Sequence, residues 1–199
     1  MTSSLAGLRV LKIAPSVFSP AKMSSGIKTY TLTLKRHLED RGVRVDLLAA
    51  SLNGGRTRGQ HSVRIPRKSD VLFSLYVIAP YLRMRNQYDL IHSSDPFLSL
   101  PLLLKLTRKP SVITLHEFWS EAVSYKRGFL SGILAGFIER TALMRATRVI
   151  AVDDKIREKY VEKYPFLEGK IHSVDVGVDL DYFKPLSRSP RERFGLGRD

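Results

Sequence analysis

The chain has 199 residues, 43% of them hydrophobic, enough for one large domain or one domain with a short tail. It contains no cysteine, which excludes disulfides, thiolate metal ligands and a cysteine nucleophile, and fits a reducing compartment. The formal charge of +14 (33 lysines and arginines against 19 acids) attracts polyanions such as nucleic acid, anionic lipid headgroups or phosphorylated substrates, with a solvated basic surface as the ordinary alternative. The first residues lack the pattern of a secretion signal, since Arg9 and Lys12 interrupt the apolar run at 8–14. The longest apolar stretches, 71–82 and 129–138, fall short of the ~18 residues that cross a bilayer, so a soluble, cytoplasmic protein is expected.

In chain order, residues 9–14 (RVLKIA) read as a first strand, followed by a polar stretch at 15–25 and a helix over 26–41. The apolar positions Ile27, Tyr30, Leu34 and Leu38 share one face of that helix, and Gly42 is placed to end it in a left-handed cap. Residues 44–50 form a second strand, 53–59 (NGGRTRG) a loop, and 61–65 a weaker strand. Ser69 or Asp70 can cap a helix reaching about Asn86, kinked at Pro80. Residues 89–92 (DLIH) are a strand, and Asp95-Pro96 reads as a cap followed by proline at the first helical position. Then come strand 111–115, helix 130–145, strand 148–152, helix 155–164 and strand 170–174. These short apolar runs, alternating with helical patterns, predict an α/β fold: a parallel sheet of about seven strands with helices on both faces. Residues 187–199 have the polar, basic, Gly/Pro-containing composition of a linker.

Ligands of open parallel sheets bind at the carboxyl ends of the strands. The polar groups expected there are Ser24-Ser25-Gly26, then His92 to Asp95, His116-Glu117, Asp153-Asp154, and Asp175 with Gly177. Ser25-Gly26 offers backbone N–H groups at a helix start, but no complete dinucleotide or Walker loop is present, so a nucleotide held wholly within this domain is not expected. His116 could bond a sugar hydroxyl or stabilise developing charge, or simply anchor its loop. Asp95 and Asp153 are explained as helix caps, and His92 reads as structural. No metal-ligand spacing occurs.

Five segments in order carry a family likeness: 14–48 (APSVFSPAKMSSGIKTYTLTLKRHLEDRGVRVDLL), 88–97 (YDLIHSSDPF), 112–118 (VITLHEF), 148–160 (RVIAVDDKIREKY) and 171–185 (IHSVDVGVDLDYFKP). Together they resemble the N-terminal, acceptor-side, Rossmann-like domain of family-4 retaining glycosyltransferases of the GT-B fold. The resemblance implies a domain over 1–185, an interdomain linker at 186–199, and a C-terminal donor-binding domain absent from this chain. It implies transfer of a sugar from a nucleotide-sugar to a hydroxyl acceptor, with His116 as the catalytic residue and Ser25 and Gly26 facing the donor diphosphate. Lys28, Asp95, Glu117, Asp153, Gly177 and Asp179 would line the cleft or meet the acceptor. No cofactor and no metal would be required, since the nucleotide-sugar is a substrate. Where the family has two glycines this chain has Ser25-Gly26, and Val176 and Asp153 replace a usual asparagine and serine.

The missing domain, in the same gene or as a separate subunit, is thus the first expected partner, and the half present here is not expected to act alone. The acceptor would be a sugar or a lipid-linked compound. An anionic membrane is a further candidate partner, with a peripheral position at its cytoplasmic face, because the apolar positions Leu130, Ile133, Leu134, Phe137 and Ile138 are flanked by Lys126, Arg127, Arg140 and Arg145. The ordinary alternative packs that apolar stripe on the sheet. Two other classes compete: a non-catalytic binding subunit of a split enzyme, and a basic nucleic-acid-binding module. The second ranks last, because most aromatics fall at core-facing positions.

Overall fold

A computed structural model describes residues 5–14, 26–51, 60–66, 70–104, 106 and 108–178. Seven strands form a single parallel sheet in the order β3-β2-β1-β4-β5-β6-β7, with β1 at Arg9–Ala14, β2 at Arg44–Ser51, β3 at Gln60–Arg64, β4 at Leu90–Ser93, β5 at Ser111–Leu115, β6 at Arg148–Ala151 and β7 at Ile171–Ser173. The strands are short and covered, which is why they read as apolar runs instead of alternating ones. The chain order reverses between β1 and β4, the switch point where such sheets open a crevice at their carboxyl edge. The fold is therefore the Rossmann-like α/β architecture expected.

Among the described residues, seven α-helices accompany the sheet: α1 (Gly26–Glu39), α2 (Asp70–Tyr76), α3 (Ile78–Met84), α4 (Leu100–Leu103), α5 (Trp119–Arg127), α6 (Phe129–Arg145) and α7 (Asp154–Lys163). One sheet face carries Leu11, Ile13, Leu48 and Ile91, packed under Phe73, Val77 and Tyr81 of the α2–α3 region. The same face continues through Ile113, Leu115, Val149 and Ala151 beneath α6 and α7. The other face, with Val10, Ala14, Val45, Leu47 and Ala49, packs against Leu38 of α1. Gly42, at φ +80°, closes α1, and Val43 N–H bonds the Leu38 carbonyl at 3.0 Å.

Three expectations about elements need correction. The helix expected over 70–86 is two helices, α2 and α3, which part at Val77, not at Pro80. A proline clashes with the carbonyl four residues earlier and cannot bond it, so Pro80 breaks the chain just after Tyr76. Helix α5 was not foreseen. Gly128, at φ +88°, turns it directly into α6, making a helical hairpin. Finally, the large apolar residues of α6 do not pack on the sheet. Phe129, Leu130, Ile133, Leu134 and Phe137 are 56–80% exposed, and the helix is buried through Ala135, Glu139, Ala142 and Leu143 instead. The expected cap Ser69, the loop 53–59, and the stretches 15–25 and 179–199 lie outside the described residues.

Candidate functional site

Parallel register decides which side chains share a sheet face. Lys12 of β1 pairs with His92 of β4, and His92 pairs with Val112 of β5, so Thr114 and His116, two and four residues further, point the same way. These residues form a polar strip on the α1 side of a sheet face that is otherwise apolar near β1. Lys12 Nζ lies 3.1 Å from His92 Nε2, which lies 2.7 Å from Thr114 Oγ1. Tyr30 of α1 lies over the strip. Its ring meets the His116 ring edge-on, with centroids 4.8 Å apart, and the Lys12 ammonium nitrogen is 5.6 Å from the same ring. His116 is half-buried, and its Nε2 is shielded from solvent without a hydrogen-bond partner among the described residues.

The charges follow from this burial. Lys12 is lowered to about 7, chiefly by desolvation, with the charge of Asp95 opposing the shift. Burial, then Lys12 and His116, hold His92 well below the ordinary histidine value. Burial and then the Lys12 charge lower His116 to about 4. Burial also raises the Tyr30 phenol, against a hydrogen bond from Thr114. At neutral pH both imidazoles are therefore uncharged, and each can donate one hydrogen bond and accept one.

Beside this strip runs a groove of about 520 Å³. One wall is the face of α1 formed by Gly26, Thr29, Tyr30, Thr33, Leu34 and His37; the other is the segment Val174 to Val178 that leaves β7. Tyr30 belongs to both: it lines the groove, and it touches His116. A side chain built on Gly26 or Gly177 would meet open space among the described residues.

Of the residues singled out from sequence, Gly26 and Gly177 face each other across the groove, and His116 reaches it through Tyr30. Lys28 is half-buried on the first turn of α1, and Glu117 is exposed beside His116. Asp95 and Asp153 each hold a local backbone N–H, and the Asp95 charge also reaches Lys12 of the strip. Asp95 Oδ1 accepts the Leu98 N–H at 2.8 Å, and Asp153 Oδ1 accepts the Ile156 N–H at 2.7 Å as the cap of α7. Ser25 and Asp179 lie outside the described residues. Sequence reasoning missed Lys12 and Tyr30 as parts of the site. A lysine in the middle of RVLKIA was the available signal, because a charge in a buried strand needs a reason.

The profile of Glycosyltransferase Family 4 matches residues 24–182. This chain belongs to that family. The matched stretch holds the whole strip except Lys12, and both walls of the groove. No curated protein sequence matches at a significant level. Among solved structures, this family-4 domain shares its fold with sucrose-phosphate synthase from Thermosynechococcus elongatus (TM-score 0.73, 17% identity), covering 96% of this chain and 53% of the synthase. It also superposes on the catalytic domain of starch synthase IV from Arabidopsis thaliana, bound to ADP and acarbose (TM-score 0.62, 14% identity, 88% and 53% covered). HepE from Anabaena, in complex with UDP and glucose, is similar at TM-score 0.62 and 14% identity, with 94% and 50% covered. The family-4 domain thus spans about half the length of these structures. Among the described residues, no helix is long and apolar enough to cross a membrane, and no group of three His, Asp or Glu side chains could hold a metal ion.

Proposed function

We propose that this domain is the acceptor-side half of a retaining glycosyltransferase, which transfers a sugar from a nucleotide-sugar to a hydroxyl acceptor. The observation that carries the proposal is the position of His116 in a family-4 chain: an uncharged imidazole at the tip of β5, joined by Tyr30 to a groove whose upper end is the start of α1. The N–H groups of a helix start favour an anion, which suits the diphosphate of a donor approaching Gly26. His116 can then take or give one hydrogen bond to the reacting sugar, as preorganised stabilisation of charge that develops during transfer. The ADP and UDP held by the starch synthase and by HepE support a nucleoside-diphosphate donor class.

A second, donor-binding domain completes the enzyme, and no metal or other cofactor is required. Titration calorimetry of this chain alone should show little nucleotide-sugar binding. Joined to a donor-binding half, it should transfer sugar with the anomeric configuration kept, and His116→Ala should lower kcat by roughly two to three orders of magnitude. Undiminished turnover without the imidazole overturns the assignment of His116, and an inverted product overturns retention.

The acceptor is lipid-linked and is met at an anionic bilayer, which places the enzyme peripherally at the cytoplasmic membrane face. The α5–α6 hairpin supports this. Its tip carries Tyr125, 93% exposed, with Phe129, Leu130, Lys126 and Arg127, and the exposed Ile133, Leu134, Phe137 and Arg140 continue along α6. Aromatic and aliphatic side chains rimmed by cations suit an anionic interface, where each cation near the surface contributes about 1 kcal/mol. The chain should sediment with vesicles of anionic phospholipid and not with neutral ones, and the double change Phe129→Ser, Leu130→Ser should abolish this. Equal behaviour towards both vesicle types, or self-association through the hairpin in its place, overturns the membrane assignment.

A further inference from the structure

The polar strip contains a buried base with no acid in hydrogen-bond contact among the described residues, in the middle of a central strand. Lys12 is 2% exposed, and His92 next to it is 5% exposed. A lysine kept only for packing would be better replaced by an apolar residue, because desolvating an ammonium is costly and unnecessary. Its surroundings are specific. The Lys12 side chain meets His92 on β4 and, through it, Thr114 on β5; it faces the Tyr30 ring of α1; and it acts on His116 at the end of β5. Asp95, just beyond β4, is the acid whose charge reaches it.

Two contacts then tie this base to the proposed catalytic residue. Tyr30 is approached by Lys12 Nζ at 5.6 Å and edge-on by His116 at 4.8 Å, so ammonium and imidazole meet the same aromatic ring. In addition, His92 Nε2 is shared between Lys12 Nζ and Thr114 Oγ1, though a ring nitrogen can serve only as one donor or one acceptor. When Lys12 is an ammonium it takes the lone pair of His92 Nε2, and the Thr114 hydroxyl is free for the Tyr30 phenol. When Lys12 is neutral, His92 Nε2–H can donate to Thr114. The charge of Lys12 therefore selects the tautomer of His92 and the hydrogen bond behind Tyr30.

We propose that Lys12 and His92 are positioning residues that set the hydrogen bonding behind Tyr30 and thereby hold the His116 imidazole against that ring, with one nitrogen left for a ligand. The inference rests on the reading of His116 as a site residue, but its physical core can be tested in the chain alone. A positive charge at the same ring disfavours protonation of His116. Removing that charge while keeping the side-chain length, as in Lys12→Met, should move the His116 titration upward by about one pH unit, read from histidine ring resonances by NMR. An unchanged His116 midpoint in the folded variant overturns the proposal.

If Lys12→Met does not fold, the wild-type chain decides. The Lys12 side-chain carbon should titrate near neutrality, with a matching inflection in His92. A set of lysines that all titrate in their ordinary range overturns the coupling. In the two-domain enzyme, the acid limb of the kcat/KM profile should shift upward with Lys12→Met and return with Lys12→Arg, a pattern that a loss of packing alone would not give. Coupling without sugar transfer would leave this inference standing and remove the proposed function; transfer without coupling would do the reverse.

Discussion

Two buried polar clusters lie on opposite faces of the sheet, and they are built on different principles. On the α6–α7 side the fully buried Glu139 carboxylate accepts the Ser120 N–H and hydroxyl (3.0 and 2.9 Å), the Tyr160 and Tyr164 hydroxyls (2.9 and 3.0 Å) and Lys163 Nζ (3.1 Å). A single acid is saturated by donors from α5 and α7 and from the turn after α7. On the α1 side, among the described residues, Lys12, His92 and His116 are bases gathered without a directly bonded acid, and one ring nitrogen is unpartnered. A saturated cluster locks helices together. An unsaturated one keeps the capacity to bond something else, which is what sets the candidate site apart from the scaffold.

The contrast should appear most strongly in stability. Glu139→Ala strands several buried donors and should lower the unfolding free energy by about 3–5 kcal/mol, measured by urea denaturation. A loss under about 1 kcal/mol would mean that Glu139 is not the lock described.

Acid and alkali should separate the clusters next. Lys12 is held at about 7 against an ordinary 10.5, so between these values the unfolded chain binds more protons and stability rises with pH. His116, at about 4 against 6.5, acts in the same sense one window lower, so stability falls as pH drops from 6.5 towards 4. Tyr160 and Tyr164 are raised by burial and then by Glu139; above their ordinary 10.0 the unfolded chain loses protons that the fold retains, so stability falls as pH rises. Thermal midpoints across this range should show a steep acid flank that flattens in His116→Asn. An unchanged flank would remove the strip from the acid response.

Two smaller effects sharpen the comparison. Asp153→Ala removes the cap of α7 and should cost about 1 kcal/mol, while leaving the His116 titration in place. Lys12→Met should cost no stability at neutral pH and should raise it, because a desolvated, poorly satisfied base is replaced by an apolar chain of similar length. A large loss there would make Lys12 a second lock.

Much of the fold was legible because covered parallel strands write themselves as apolar runs, and RVLKIA, SVITL and RVIA sit where they were expected. The caps at Gly42 and Asp153 were legible for the same local reason. What escaped depended on pairing between distant residues. Lys12 and His92 are 80 residues apart, and only strand register brings them together. Helix α5 (WSEAVSYKR) carries no regular apolar stripe, so periodicity could not announce it. In α6 the usual weighting inverted. Large residues normally mark the buried side, yet here Ala135, Glu139, Ala142 and Leu143 are inside while five larger apolar side chains face out, and α6 meets α5 at a glycine.

That close crossing occurs where a side chain built on Gly132 would come within 2.5 Å of Ser124 Cβ. The two helices cannot slide past each other there without prying apart, so the hairpin behaves as a stiff strut. At its base Trp119 stacks on Phe97, with centroids 5.4 Å apart, three residues from His116. Nine residues of α5 set the standoff between that base and the tip at about 13 Å. Whatever surface the tip rests on therefore fixes the height and tilt at which the groove is presented to it.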